Sequence, residues 1–254
     1  MVSMVSRIGL LLPLVVTAAL GAGAAIARDS SAPAVIELFT SQGCSSCPSA
    51  DTLIGELSKD QPNLIALTLP VDYWDYIGWK DTLALPAFTA RQRAYASLRG
   101  DHQIYTPQAV INGLSHVVGS DRDEIKTSAK IAFGRDGALS VGLSAQPEEG
   151  GLAVELGAAP QGAARTGELW LFHIARERTV SIGRGENAGA RVTYANVVRH
   201  MQKIGDWAGS PVRFAIPRDD LSAPDSDSYV LILQAGSMEK PGPILAATAG
   251  DHIR

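Results

Sequence analysis

The sequence predicts an α/β domain followed by an all-β, sandwich-like domain, and three observations carry that prediction. The hydrophobic period changes from strand to helix across Val35 to Leu57 (VIELFTSQGCSSCPSADTLIGEL). A second short apolar run at Leu64 to Leu69 completes a strand–helix–strand unit, which implies parallel strands. From Gly134 onwards the texture turns to short alternating runs separated by Gly, Pro and Asp, the signature of regularly spaced strands. The expected organisation is a signal peptide at 1–27, an α/β domain at 28–133 and a β-rich domain at 134–254.

At the N-terminus, Arg7 precedes an apolar run from Ile8 to Leu20, and small residues then lead to Ala25-Ile26-Ala27 ahead of Arg28. These are the three regions of a secretory signal peptide, with cleavage expected after Ala27. The competing reading is an uncleaved anchor, since Ile8 to Ala27 is uncharged and nominally long enough to span a bilayer. Pro13, Gly21, Gly23 and the A-x-A ending favour cleavage. The mature chain then holds 254 minus 27, or 227, residues, and no later segment is apolar for long enough to cross a membrane. The expected location is periplasmic or extracellular, an oxidising setting. Loss of Arg7 takes the formal charge from −4 to −5, and no Lys/Arg stripe is available to neutralise phosphates. Nucleic acid is therefore not an expected partner.

The elements follow in order. Val35 to Thr40 is short, β-branched and aromatic, while Ala50, Leu53, Ile54 and Leu57 recur at helical spacing, so the only two cysteines, Cys44 and Cys47, sit at a strand-to-helix turn. Pro48 suits a first helical turn because the N–H it lacks would have no intrahelical acceptor there. Pro62 ends this helix and Pro70 ends the next strand. VDYWDYIGWKD follows, with Tyr73, Trp74, Tyr76 and Trp79 between Asp72, Asp75 and Asp81. It reads either as a partner-binding rim or as a lid packing its own rings onto the sheet. Pro86 opens a helix that carries Phe88, Arg91, Tyr95 and Leu98 along one side and ends at Gly100. Arg91, Arg93 and Arg99 read as a solvated face. Asn112-Gly113 between β-prone runs is a strong hairpin signal, and Ser120, Asp121 and Asp123 start a last helix that runs to about Phe133.

A thiol attacks only as thiolate, and the open N–H groups at a helix start favour the anion, which makes Cys44 the expected nucleophile and the exposed member of the pair. Cys47, one turn further on, points back into the helix as the resolving cysteine. A structural disulfide closing four residues would contribute only about 2 kcal/mol in the chain-entropy expression. Zinc usually takes four protein ligands, and neither a second cysteine pair nor a compact Cys/His cluster is present, so no metal ligands are assigned. A two-thiolate Cu(I) site stays open. His102, His116, His173, His200 and His252 are scattered without ligand spacing.

The order β, Cys-x-x-Cys, α, β, α, Thr-Pro, hairpin, α over Val35 to Phe133 resembles the thioredoxin fold. CSSCP is similar to the active-site turn of that family, and YTPQAVINGLSHVVG to the Thr-Pro strand and hairpin of glutaredoxin-like members. The resemblance implies that Pro107 is cis and that Thr106 and Pro107 wall a substrate groove beside Cys44 and Cys47. It also raises one departure: the buried acid that thioredoxins carry six positions before the first cysteine is Leu38 here, with Glu37 one place off. Glu37 either assists proton transfer or is a strand residue pointing to the edge. ELFTSQGCSSCPSAD, VDYWDYIGWKD, YTPQAVING and RGENAG together most resemble the exported, thioredoxin-like DUF1223 family. That resemblance spans nearly all the mature chain and implies no particular substrate.

In the second half, strands are expected at Leu139 to Leu143, Leu152 to Leu156, Glu168 to Ala175, Arg191 to Val198, Val212 to Ile216 and Tyr229 to Gln234. Trp170, Phe172 and Ile174 alternate with Leu169, Leu171 and His173, so one set should line a core and His173 should sit at a rim. Gly183 to Gly189 lacks the Lys-Ser/Thr and helix of a phosphate loop; Glu186 or Asn187 is expected to clamp the loop or touch the first domain. The functional expectation is an exported thiol–disulfide oxidoreductase without a cofactor, acting on protein thiols or disulfides. A Cu(I)-binding metallochaperone and a non-enzymatic adaptor of the same fold are the alternatives.

Overall fold

One mixed sheet runs through both halves of the chain. In the computed structural model, which describes Met1, residues 34–61 and residues 63–251, its strands are β1 (Ala34–Thr40), β2 (Leu64–Pro70), β3 (Gln108–Ile111), β4 (Ser115–Val118), β7 (Gly167–Ser181), β8 (Arg191–Trp207), β10 (Ser228–Ser237) and β11 (Lys240–Asp251). Their order is β11-β10-β7-β8-β2-β1-β3-β4. A smaller antiparallel sheet holds β5 (Leu143–Glu148), β6 (Gly151–Leu156) and β9 (Val212–Pro217) in the order β5-β6-β9. The helices are α1 (Pro48–Asp60), α2 (Pro86–Arg99) and α3 (Arg122–Ala132). The expected signal peptide lies outside the described residues; among the described residues no helix is long and apolar enough to cross a membrane.

The first half follows its sequence pattern closely. β1 pairs parallel with β2 from Ala34↔Leu64 to Thr40↔Pro70 and antiparallel with β3. Asn112 and Gly113 take φ of 50° and 71°, the left-handed pair that a two-residue hairpin needs. Asp121 caps α3 by accepting from the N–H groups of Asp123 and Glu124. Alternation along β1 separates two cores. Ile36 and Leu38 meet Ala50, Leu53, Ile54 and Leu57 of α1, whereas Val35 and Phe39 meet Phe88 and Tyr95 of α2.

The second half departs from a free-standing sandwich. Four of its strands continue the first sheet, joined by parallel pairing of β2 with β8 at Thr68↔Val197, and only β5, β6 and β9 form a separate layer. Leu152, Val154 and Ile216 of that layer pack on Leu169, Leu171, Leu231 and Leu233 of the large sheet. Phe172, Ile174 and Ile232 face the core under α2. Both alternating sets of β7 are therefore buried, which is why His173 is inside the fold and not at a rim; its ring centroid lies 5.5 Å from that of His200. Leu139, expected to open a strand, has φ of 54° in a turn, and the strand begins at Leu143. β11 escaped the sequence reading because its Ala, Gly and Pro content suits neither pattern.

Arg91, expected in solvent, is buried on α2 between Phe88 and Tyr95. Its Nε donates to Glu37 Oε1 (2.6 Å), and its Nη2 to Glu37 Oε2 (3.1 Å), to the Tyr95 hydroxyl (2.8 Å) and to Gln234 Oε1 of β10 (2.8 Å). Tyr95 donates to Glu37 Oε2 at 2.5 Å. This polar knot fastens β1, α2 and β10 together within an apolar core. Removing one charge strands the other, so Arg91→Met is expected to cost about 3–5 kcal/mol in urea unfolding, and the double variant Glu37→Leu/Arg91→Met to recover most of it.

Candidate functional site

The strand-to-helix turn closes on itself before α1 begins. Cys44 N–H donates to Ser41 O (3.1 Å) and Cys47 N–H to Cys44 O (3.2 Å), while Cys47 O accepts from the N–H groups of Ala50 (2.9 Å) and Asp51 (3.0 Å). Cys47 is thus the N-cap and Pro48 follows in the first turn. Cys44 and Cys47 form a disulfide with a Cα–Cα separation of 5.4 Å. The Ser46 hydroxyl lies 3.4 Å from Cys44 Sγ. The helix start that favours a thiolate is in place. The expected exposure of Cys44 is not: Cys44 is 1% and Cys47 0% exposed.

Two loops are fastened to the cysteine turn. Asn187, in the loop between β7 and β8, donates through Nδ2 to Gln42 O (2.9 Å) and Cys44 O (2.9 Å), and Glu186 Oε2 accepts from Ser45 N–H (3.3 Å). The expected contact of Glu186 or Asn187 with the first half is made by both, at the cysteine turn itself. The aromatic loop supplies the other wall. Gln42 accepts at Oε1 from Trp79 Nε1 (2.8 Å), and Gln42 N–H donates to Asp81 Oδ2 (2.7 Å). Gly43 is closely packed: a Cβ there would stand 3.0 Å from Ile77 Cδ1 and 3.1 Å from Trp74 Cβ. Tyr73 and Trp74 pack against the core under α2, whereas Tyr76 is 81% exposed and stacks on Trp74. The loop therefore packs its own rings at its base, as the lid reading has it, and is exposed at its tip.

The Thr106–Pro107 bond is cis. Trp74 Nε1 donates to Thr106 Oγ1 (2.8 Å), so the residue that covers Gly43 also holds Thr106. Pro107 lies on the α1 side: a Cβ at Gly119 would come within 3.1 Å of Pro107 Cβ and 3.4 Å of Ala50 Cβ. Thr106 is thus tied to Trp74, which packs over Gly43 next to Cys44, and Pro107 shares the surroundings of Gly119 with Ala50 of α1.

Glu37 does not join them. Both its oxygens are committed to Arg91 and Tyr95 on the α2 face of the sheet, opposite the face that meets α1, so neither the proton-transfer nor the edge reading describes it. The acid beside the cysteines is Asp51, which the sequence reading missed. It lies four residues after Cys47, hence one turn along the same side of the helix, and is 2% exposed. That side meets β8, with Gly55 against Ala195 and Ser58 Oγ accepting from Asn196 Nδ2 at 3.1 Å. Thr40 Oγ1 donates to Asp51 Oδ1 (2.7 Å), and Oδ2 has no hydrogen-bond partner among the described residues. Burial pushes the Asp51 carboxyl up to about 8; the Thr40 hydrogen bond opposes this and the charge of Asp81 adds to it. Burial also raises Asp81, against the N–H groups of Gln42, Leu83 and Ala84. Tyr194 of β8 is raised by burial and by both carboxylates. The signal available in sequence was the acid four residues past Cys47 in an otherwise small and apolar seam. Among the described residues no group of three or more His, Cys, Asp or Glu side chains could hold a metal ion.

Residues 35–234 match the family model described as a protein of unknown function, DUF1223. A protein of Agrobacterium tumefaciens, solved by X-ray crystallography, is 30% identical over 86% of this chain and 94% of its own, with a TM-score of 0.75. HBP35 of Porphyromonas gingivalis superposes with a TM-score of 0.52 over 85% of this chain and 74% of its own, at 10% identity, a likeness of fold alone. No curated protein matches the sequence.

The buried acid has a consequence for stability. A carboxyl raised from an unfolded value near 4 to about 8 binds a proton in the folded state that the unfolded state has released, so its favourable contribution is complete at about pH 4 and lost as pH rises through 8. Asp51→Asn keeps an acceptor for Thr40 and removes the charge. Urea unfolding is expected to show it more stable than wild type at pH 8 by about 5 kcal/mol, at about 1.4 kcal/mol per pKa unit, with the gap closing towards pH 4.

Proposed function

The chain belongs to the DUF1223 family, and we propose that it is an exported thiol–disulfide oxidoreductase using the Cys44–Cys47 couple on a thioredoxin-like first half. The observation that carries this reading is the Cys-x-x-Cys disulfide at the start of α1, and the hydrogen bond from Trp74, which packs over Gly43, to Thr106 supports it. A disulfide serving only as a staple has no need of a helix start, and the loop it closes is short.

In this reading a partner thiolate attacks Cys44 Sγ, the Cys44–Cys47 bond breaks, and Cys47 leaves as a thiolate that takes up a proton. The second partner thiolate then attacks the partner sulfur of the mixed disulfide and releases Cys44. The partner loses two electrons and two protons in all, and the cysteine pair gains them; the reverse sequence reduces a partner disulfide. Ser46, near Cys44 Sγ, can donate to the Cys44 thiolate. Asp51 is the buried group suited to exchange the Cys47 proton, the role first sought in Glu37. Thr106 and Pro107 offer the wall against which an extended partner segment lies.

The burial of both sulfurs favours one competitor, an adaptor that carries an inert disulfide. Purified protein assayed for dithiol-dependent reduction of a protein disulfide, and separately for copper uptake when reduced, distinguishes the readings. Turnover supports the oxidoreductase, stoichiometric copper without turnover the two-thiolate metal site, and neither the adaptor. Within the oxidoreductase reading, reduced Cys47→Ser offered a protein disulfide is expected to attack it through Cys44, release one partner thiol and accumulate the mixed disulfide at Cys44, seen as a mass increase reversed by reductant. Cys44→Ser should accumulate far less. Equal trapping at the two positions would remove the assignment of roles.

A further inference from the structure

We propose that the loop joining β7 to β8 is a gate over the Cys44–Cys47 disulfide, held shut by Asn187 and opened when an extended polypeptide takes over its contacts. Thiol–disulfide exchange requires the attacking atom to reach a sulfur, and here neither sulfur is accessible. The loop fastened to the backbone of the cysteine turn is a thin layer. Its residues Gly183, Arg184, Glu186, Ala188 and Gly189 are exposed, so it contributes little to any core. It is closed at its base by Ile182 N–H donating to Ala190 O (2.9 Å) and Gly189 N–H to Ile182 O (2.8 Å), and Gly185 and Gly189 take φ of 79° and 86°. Such a segment can swing as a unit about its base without unravelling the β7–β8 ladder.

The contacts that hold it down are those a bound peptide would make. Asn187 Nδ2 satisfies the carbonyls of Gln42 and Cys44, and Glu186 Oε2 receives the Ser45 N–H. A side-chain amide and a carboxylate thus occupy two backbone acceptors and one backbone donor along the cysteine turn. A partner in extended conformation offers N–H and C=O groups able to replace them one for one, so opening need not strand a polar group. Trp79 against Gly183 and Ile77 against Gly185 supply the remaining, apolar contact. Asn187 is therefore the residue that sets which reagents reach the disulfide. The gate gives the redox reading its specificity, but it is a property of access and can be tested without any physiological partner.

The oxidised full-length protein is treated with tris(2-carboxyethyl)phosphine, which is oxidised to the phosphine oxide as water supplies the oxygen and the disulfide becomes two thiols. Thiol release is followed with time. Asn187→Ala is expected to be reduced about tenfold faster than wild type or more, because two hydrogen bonds that hold the gate are lost. Folding of the variant is checked by circular dichroism. Were it to lose its fold, Asn187→Asp decides: it keeps the shape and sets a carboxylate against two carbonyl oxygens, so the same acceleration is expected. A folded variant reduced at the wild-type rate overturns the gate and leaves the redox reading intact. Failure of wild type to turn over a protein disulfide, with the acceleration present, overturns the redox reading and leaves the gate.

Discussion

The parallel contact between β2 and β8 is the constraint on which the rest of the arrangement depends. Its register is a single pair, Thr68↔Val197, reinforced by Thr68 Oγ1 donating to Ala195 O (2.6 Å) and Asn196 Nδ2 donating to Ala66 O (3.0 Å). Without it the second half would still bury one face of its strands against the small sheet. With it, β8 lies under α1, so Tyr194 comes within electrostatic reach of Asp51, and the loop that begins where β7 ends arrives over Cys44. The turn is thus held by residues about 140 positions away in sequence.

The first half was legible because its signals are local. Strand period, helix period, Pro48, Pro86, Gly100, Asn112-Gly113 and the Asp121 cap each act within a few residues, and each landed where it was read. Arg91 shows where locality ends. Its spacing with Phe88 and Tyr95 placed it on the inward side of α2, yet its charge argued for solvent, and the matter was decided by Glu37 and Gln234, neither of them near it in sequence. The second half was misjudged for a related reason. Alternation in β7 suggested one wet face, but α2 covers one side and the small sheet the other, so Phe172 and Leu171 are both interior.

Two buried acids near β1 illustrate how environment divides roles among similar groups. Glu37 is surrounded by donors: a bidentate guanidinium and a phenol compensate its desolvation, and its place is structural. Asp51 has one hydroxyl for one oxygen and nothing for the other, with a second carboxylate near by. Such a group is costly for stability alone, since an alanine or leucine in the same α1–β8 seam would bury without an orphaned oxygen. A perturbed, under-satisfied acid one turn from Cys47 is more economically understood as part of the cysteine chemistry than as scaffolding.

Burial of the sulfurs argues against redox activity only if the cover is permanent. A core-forming cover would place large apolar side chains over the turn; this one places glycines, an asparagine and a glutamate, and fixes them to backbone groups that extended chains ordinarily use. The permanent cover is elsewhere. Trp74 and Ile77 pack closely against Gly43, and Trp74 is itself tied to Thr106. The turn thus meets half-buried aromatic and aliphatic side chains on one side and polar contacts to its backbone from the β7–β8 loop on the other. An inert structural disulfide gives no reason for that asymmetry, whereas the thiol–disulfide couple proposed above, with its access controlled, does.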